Sequence, residues 1–323
     1  MKKILHTAKY TGLPLEILKG ACPKGFIVKT LDEPIHEQLV KEAIDADYFL
    51  VSGRLHIDKE VLNNAPRLRM IQRTGVGTEM LDLDAIKSRG LPVYVNRGVN
   101  AQSVAEHTIT LILACLKRLP QINQQTHQGI WEKQQFGVTT RELRGKTVAL
   151  VGMGNIGRLV AQMLHSFGAK IIYTDVIRQK SEIEQCLELT YYDCFESILP
   201  KADILSFHCP LTPENTDILN SRTLALMKKD AIVVNTARGK LINPNDLYES
   251  LTAGQLSAAA LDTHYEEPIQ DGYRLSELDN VIMTPHIGGL SYESFHLMIV
   301  NAMNNIAAFD SGLFESIAHA KFI

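Results

Sequence analysis

Short runs of apolar, β-prone residues alternate along the chain with stretches whose apolar positions recur at helical spacing. The runs predict strands over 46–51 (ADYFLV), 68–72 (LRMIQ), 92–95 (PVYV), 147–151 (TVALV), 170–174 (KIIYT), 203–207 (DILSF), 231–235 (AIVVN), 257–261 (SAAAL) and 280–283 (NVIM). Strands that are apolar throughout, with helices between them, belong to parallel sheets covered on both faces. Nine of them exceed one ordinary sheet, which predicts an α/β fold of two doubly wound parallel-sheet domains. No Pro/Gly/Ser-rich linker separates the two. Long helical patterns run from about Ala101 to Leu119 and from Ser291 to Phe309, and we expect them to carry the chain from one domain to the other and back.

Composition narrows the classes of function. With 323 residues, 45% of them hydrophobic, the chain can bury the cores of two domains. A net charge of -3, with basic residues scattered singly or in pairs, offers no footprint for nucleic acid and no polybasic membrane anchor. The start, MKKILHTAKY, has too short an apolar stretch for a signal peptide. The apolar run around Ile109 to Leu116 falls well short of the roughly 20 residues that a spanning helix needs. Cys22, Cys115, Cys186, Cys194 and Cys209 form neither a C-x-x-C pair nor a metal-ligand spacing, and their odd number suits a reducing compartment. The expectation is a cytoplasmic protein without a metal site.

The strongest local pattern is GMGNIG, Gly152 to Gly157, between the strand TVALV and a helical face of Ile156, Leu159, Val160, Met163, Leu164 and Phe167. In a strand–turn–helix of this kind Gly152 makes the tight turn, Gly154 admits a pyrophosphate to the backbone, and Gly157 lets the helix pack on the strand. The pyrophosphate then lies on the helix N-terminus, at the amides that open it around Asn155 and Ile156. Asp175 ends the next strand eighteen residues beyond Gly157. A carboxylate there accepts hydrogen bonds from ribose hydroxyls and repels a 2′-phosphate, which favours NAD over NADP, with nearby Arg178 softening that preference.

A nicotinamide cofactor serves hydride transfer, and transfer to a carbonyl beside a carboxylate would need a cation for the carboxylate, a proton donor for the carbonyl oxygen, and a group that tunes the donor. Arg238 after AIVVN, Glu267 after SAAAL and His286 after NVIM are of those types. All three occupy loops that follow strands, where ligands of open α/β sheets bind. His107 and His264 are expected in supporting positions, and Trp131 at a domain interface.

The ordered segments VGMGNIGRLVAQMLHSFGAKIIYTD, ILSFHCPLTPENTDILN, MKKDAIVVNTARGKLIN, AALD followed by EEP, and TPHIGG resemble those of the D-isomer-specific 2-hydroxyacid dehydrogenases, over roughly residues 45 to 300. The resemblance implies a Rossmann cofactor domain (101–290) inserted in a flavodoxin-like substrate domain (1–100 plus 291–323), and usually a homodimer. It implies that Arg238 clamps the substrate carboxylate, that His286 exchanges the proton, and that Glu267, rather than Glu266, orients the imidazole and favours its charged form. It implies further cofactor contacts at His208, Cys209, Pro210, Thr236 and Asp262, and substrate contacts at the Val76 and Gly77 backbone.

Arg54 and Arg73 are candidates for a second anionic group of the substrate. The stretch from Arg73 to Asp82 is similar to the phosphoglycerate dehydrogenase branch, which makes 3-phosphoglycerate or a similar dianion the first expectation, with glyoxylate, hydroxypyruvate and D-lactate as the alternatives. The chain stops soon after its last long helix, so the serine-sensing domain of some members of that branch is expected to be missing. Formate dehydrogenases pair the histidine with glutamine, which Glu267 argues against. NADH-sensing corepressors share the fold and are the non-enzyme alternative.

Overall fold

Alternation of side chains across a pleated strand means that a strand apolar at every position needs a hydrophobic layer on each side. Both sheets of the protein are built this way. The computed structural model describes residues 1–53 and 55–323, so the expectation for Arg54 lies outside the described residues. The chain divides into a unit of residues 1–100 with 291–323 and a unit of residues 101–290.

The first unit holds β1 (Lys2–His6), β2 (Phe26–Thr30), β3 (Tyr48–Val51), β4 (Met70–Arg73) and β5 (Val93–Tyr94). They form a parallel sheet of order β2-β1-β3-β4-β5, the flavodoxin-like arrangement. Leu5, Phe49, Val51, Ile71 and Val93 pack on one face. Ile4, Tyr48, Leu50 and Met70 pack on the other, against Ile299, Ala302, Met303 and Ile306 of the helix Tyr292–Asp310. Ser291 caps that helix by accepting from the Ser294 amide at 3.0 Å, while the Ser294 hydroxyl accepts from the Ser291 amide at 2.8 Å. At the other end Asp310 accepts from the Tyr48 hydroxyl at 2.6 Å and pairs with Lys2 and Arg69.

The second unit holds β6 (Thr147–Val151), β7 (Lys170–Thr174), β8 (Leu189–Tyr191), β9 (Ile204–Phe207), β10 (Ala231–Asn235), β11 (Leu256–Leu261) and β12 (Val281–Met283). Their order is β12-β11-β10-β9-β6-β7-β8, again parallel. The order reverses between β6 and β9, where open α/β sheets bind their ligands. Val148, Leu150, Ile171, Tyr173, Ile204 and Val234 face one layer, with the helices Ala101–Lys117 and Asn155–Ser166. Ala149, Val151, Leu205, Phe207 and Val233 face the other.

All nine expected strands are present, and three others join them. β1 opens on two lysines and β2 alternates between half-buried and exposed positions. β8 is three residues at the sheet edge. None of the three carries the unbroken apolar run that marks a central strand.

Candidate active site

β6 ends at Val151, opposite Thr174 of β7 and Phe207 of β9. The next residue, Gly152, sits at φ 100°, in the region closed to most side chains. A Cβ on Gly152 would fall 2.7–2.8 Å from the His208 carbonyl and the Cys209 amide, and one on Gly157 would fall 2.2 Å from the Gly152 carbonyl oxygen. Glycine is therefore required at both by close packing. Gly154 differs: it precedes the helix Asn155–Ser166, and a Cβ there would meet nothing within 4 Å. Its backbone faces open space at a helix N-terminus, the cradle that a pyrophosphate fits. Asn155 accepts from the Arg158 guanidinium at 3.0 Å, and Ile156 packs on the core beneath.

Asp175 follows β7 and turns back on this loop. Its carboxylate accepts from the amides of Met153 at 2.5 Å and Ile177 at 2.9 Å. Arg178, expected near this carboxylate as a group that softens the preference for NAD, donates Nε and Nη2 to Glu184, at 2.9 and 2.8 Å. The pairing holds the Glu184 carboxyl down to about 2, through the Arg178 hydrogen bonds first and that of the Tyr173 hydroxyl second.

Beyond β9, the His208 amide donates to Val151 O at 2.7 Å and its Nε2 meets the Ser206 hydroxyl at 2.9 Å. Burial pushes this imidazole down to about 3 and the neighbouring Cys209 thiol up to about 11. Pro210 is exposed, and its carbonyl accepts from Asn215 at 2.8 Å. Thr236 is buried, with its hydroxyl 2.9 Å from that of Thr108.

Asp262 is buried, with a concentrated set of partners. It accepts from the Thr284 hydroxyl at 2.6 Å, the Ile287 amide at 2.9 Å and the Gly288 amide at 2.8 Å, with His107 Nε2 at 3.4 Å. Burial pushes this carboxyl up, but His107, Thr284 and the two amides outweigh it and hold it at about 2. His107 and Thr284 thus share one carboxylate.

The three catalytic candidates come from the carboxyl ends of β10, β11 and β12, which are neighbours in the sheet. Asn235 shapes the first loop, accepting from the Ala237 amide at 3.0 Å and donating to Arg238 O at 2.8 Å. Gly239 then passes so close to the next loop that a Cβ would lie 2.0 Å from the His264 carbonyl. The His264 amide donates to Glu267 Oε1 at 2.9 Å, and Glu267 Oε2 lies 2.8 Å from His286 Nδ1. The Arg238 loop is therefore packed on the loop that carries Glu267, and Glu267 is bound to His286. The His264 ring donates from Nε2 to Thr284 O at 2.9 Å. His286 sits at φ 57°, a left-handed conformation uncommon for a side-chain-bearing residue. Glu266 is exposed and Glu267 half-buried.

Arg73, Val76 and Gly77 lie in the first unit, at the end of β4 and in the loop after it. Arg73 Nε donates to Gly77 O at 2.7 Å and Nη1 to Val51 O at 3.3 Å, so the guanidinium shapes this loop. Trp131, expected in a packed interface, is 80% exposed. Sequence reasoning missed Thr284, Gly239 and Gly288. Gly288 is tight, since a Cβ would fall 2.8 Å from Asp262 Oδ2. The signal was the glycines themselves, in TARG and PHIGG.

Residues 109–288 match the profile of the D-isomer specific 2-hydroxyacid dehydrogenase NAD binding domain. The chain is 35% identical over 277 residues to a glyoxylate reductase of Thermofilum pendens, spanning 85% of this chain and 81% of that protein. It is 38% identical over 259 residues to a D-3-phosphoglycerate dehydrogenase of Methanocaldococcus jannaschii, spanning 80% of this chain and 48% of that one. The match thus covers about half the length of that relative. A D-lactate dehydrogenase from Aquifex aeolicus, solved with NAD and lactic acid, superposes with a TM-score of 0.85 at 27% identity, over 99% of this chain and 98% of that one.

Proposed function

The chain belongs to the D-isomer specific 2-hydroxyacid dehydrogenase family, and on that footing we propose that Arg238, Glu267 and His286 carry out its NAD-dependent interconversion of a 2-hydroxy acid and a 2-keto acid. The observation that carries this reading is the Glu267–His286 bond of 2.8 Å beside the packed Arg238 loop. NAD, when bound, would supply the acceptor or donor for the hydride at C2 of the acid. Gly154 would hold its pyrophosphate at the helix N-terminus, in the turn whose close packing Gly152 and Gly157 allow, with Asp175 at the ribose hydroxyls. His208, Cys209, Pro210, Thr236 and Asp262 would line the cofactor toward its nicotinamide end.

Arg238 binds the substrate carboxylate through two parallel N–H donors and draws charge from the adjacent carbonyl. With Nδ1 occupied by Glu267, the His286 imidazole exchanges its proton through Nε2. It donates to the carbonyl oxygen during reduction and accepts from the hydroxyl during oxidation. Glu267, itself fixed by the His264 amide, keeps the ring in one orientation and offsets its positive charge.

A small acid of the glyoxylate or hydroxypyruvate kind fits best. The glyoxylate reductase relative is matched over 81% of its length, and Arg73 is engaged by the carbonyls of Gly77 and Val51. Phosphoglycerate is the second reading, favoured by the 38% identity to a phosphoglycerate dehydrogenase. A panel of glyoxylate, hydroxypyruvate, phosphohydroxypyruvate and pyruvate with NADH tests both. Turnover fastest with glyoxylate or hydroxypyruvate supports the first reading, and preference for phosphohydroxypyruvate the second. Tight NADH binding with no turnover on any acid overturns the enzyme reading in favour of a sensor.

The exposed apolar residues Leu119, Ile130, Trp131 and Val138 lie within one short stretch, which supports a homodimer formed through that surface. Sedimentation at micromolar concentration tests it: a monomer contradicts the assignment. Five free thiols suit a cytoplasmic setting.

A further inference from the structure

Three side chains, those of Tyr173 in β7, Glu184 and Tyr191 in β8, form a closed arrangement around Arg178. Glu184, on the helix Ser181–Cys186, receives Nε and Nη2 of Arg178 at 2.9 and 2.8 Å. The same carboxylate accepts from the hydroxyl of Tyr173 at 2.6 Å. That hydroxyl in turn accepts from the Gln179 amide at 2.9 Å, which fixes the backbone next to Arg178. The guanidinium lies over the Tyr191 ring, 5.2 Å from its centroid. Tyr173 is fully buried in β7, so the anchor is rigid, and the Glu184 side chain is only 11% exposed against 62% for Arg178.

An arginine beside the ribose-binding carboxylate is the group that accommodates a 2′-phosphate in this class of site. Here that arginine stands three positions past Asp175, with two of its donors already on a carboxylate. We propose that Glu184 is a specificity-determining residue, which holds Arg178 away from a 2′-phosphate and so enforces NAD over NADP together with Asp175. The inference rests on the NAD-dependent reading above and adds a residue to it.

The physical reason lies in charge and donor count. Asp175, Arg178 and Glu184 together carry one net negative charge, so a phosphate placed among them meets repulsion. To bind, it must also take donors from a carboxylate that Tyr173 keeps in place. Neutralising Glu184 changes both conditions, and removing Asp175 alone changes only the first. The contribution of Glu184 is therefore read on an Asp175→Ser background.

Calorimetric binding of adenosine 2′,5′-bisphosphate and of 5′-AMP tests this without turnover. The variants are Asp175→Ser, Asp175→Ser/Glu184→Gln, Asp175→Ser/Glu184→Ala, and Asp175→Ser/Glu184→Gln/Arg178→Ala. Release of one exposed forked ion pair is expected to tighten the bisphosphate relative to 5′-AMP by about five- to tenfold over Asp175→Ser alone. Both substitutions at Glu184 should give this gain, and Arg178→Ala should abolish it. A bisphosphate preference that is the same with and without Glu184, or that survives Arg178→Ala, overturns the proposal. Failure of the wild-type protein to bind 5′-AMP at all identifies the cofactor reading as the error, and the proposal falls with it.

Discussion

Glu267 joins the His264 amide to the His286 imidazole, accepting at 2.9 Å through Oε1 and meeting Nδ1 at 2.8 Å through Oε2. One carboxylate thus fixes the ring orientation and places a negative charge beside it. Glu267→Gln keeps a hydrogen-bonding group and removes the charge. We predict that kcat/KM for keto-acid reduction falls by about tenfold or more, because the ring loses the carboxylate that offsets the charge it carries during proton transfer. Steady-state kinetics at saturating NADH measures this, and an unchanged kcat/KM removes Glu267 from the role.

The glycine loop makes a prediction of a different kind. A Cβ on Gly157 would stand 2.2 Å from the Gly152 carbonyl oxygen, so Gly157→Ala must push the helix Asn155–Ser166 away from β6. Overpacking of this sort costs about 1–3 kcal/mol. The thermal midpoint should fall and NADH should bind more weakly, because the displaced helix end is the one that meets the pyrophosphate. Gly154→Ala leaves the midpoint nearly unchanged, since its Cβ meets nothing within 4 Å, and weakens NADH alone. Calorimetry and NADH fluorescence separate the two effects.

His6 gives the first unit a pH dependence. It is fully buried, with Nε2 against the Ser52 hydroxyl, and burial pushes it down to about 4. The folded state keeps it neutral while the unfolded chain takes up a proton below 6.5. Its contribution is thus complete above 6.5 and is lost as pH falls toward 4. Between pH 7 and pH 5 this amounts to about 2 kcal/mol. Urea unfolding at those two pH values should show His6→Asn losing less stability than the wild type by that amount. Equal losses would contradict the assignment.

The parts of the fold that the sequence made legible are those where one physical demand dominates. Strands such as AIVVN and TVALV are buried on both faces, and an unbroken apolar run has little other use. β2 and β8 stand at sheet edges, where half the side chains meet water and the pattern dissolves. Gly152 and Gly157 could be read because close backbone approach admits no other residue. Arg178 could not, since its role depends on Glu184, six residues away on another element, and sequence spacing gives no sign that the two meet. Trp131 was misplaced for a similar reason: a large ring is usually buried, but this one lies in a stretch exposed on the single chain. The Asp262 network was half visible: His107 was expected in a supporting position, whereas Thr284 and Gly288 stood in the quoted TPHIGG without a role, because only folding brings them to the carboxylate.

The account depends most on Arg238 serving the acid rather than the nucleotide. Lysine retains the charge at that position and loses the planar pair of donors. Steady-state reduction of the best keto acid by Arg238→Lys, with NADH affinity measured in parallel, puts this to the test. The account predicts a fall in kcat/KM for the acid on the order of a hundredfold, with the NADH dissociation constant unchanged. A loss of NADH affinity by the same factor, or no loss of turnover, would contradict it.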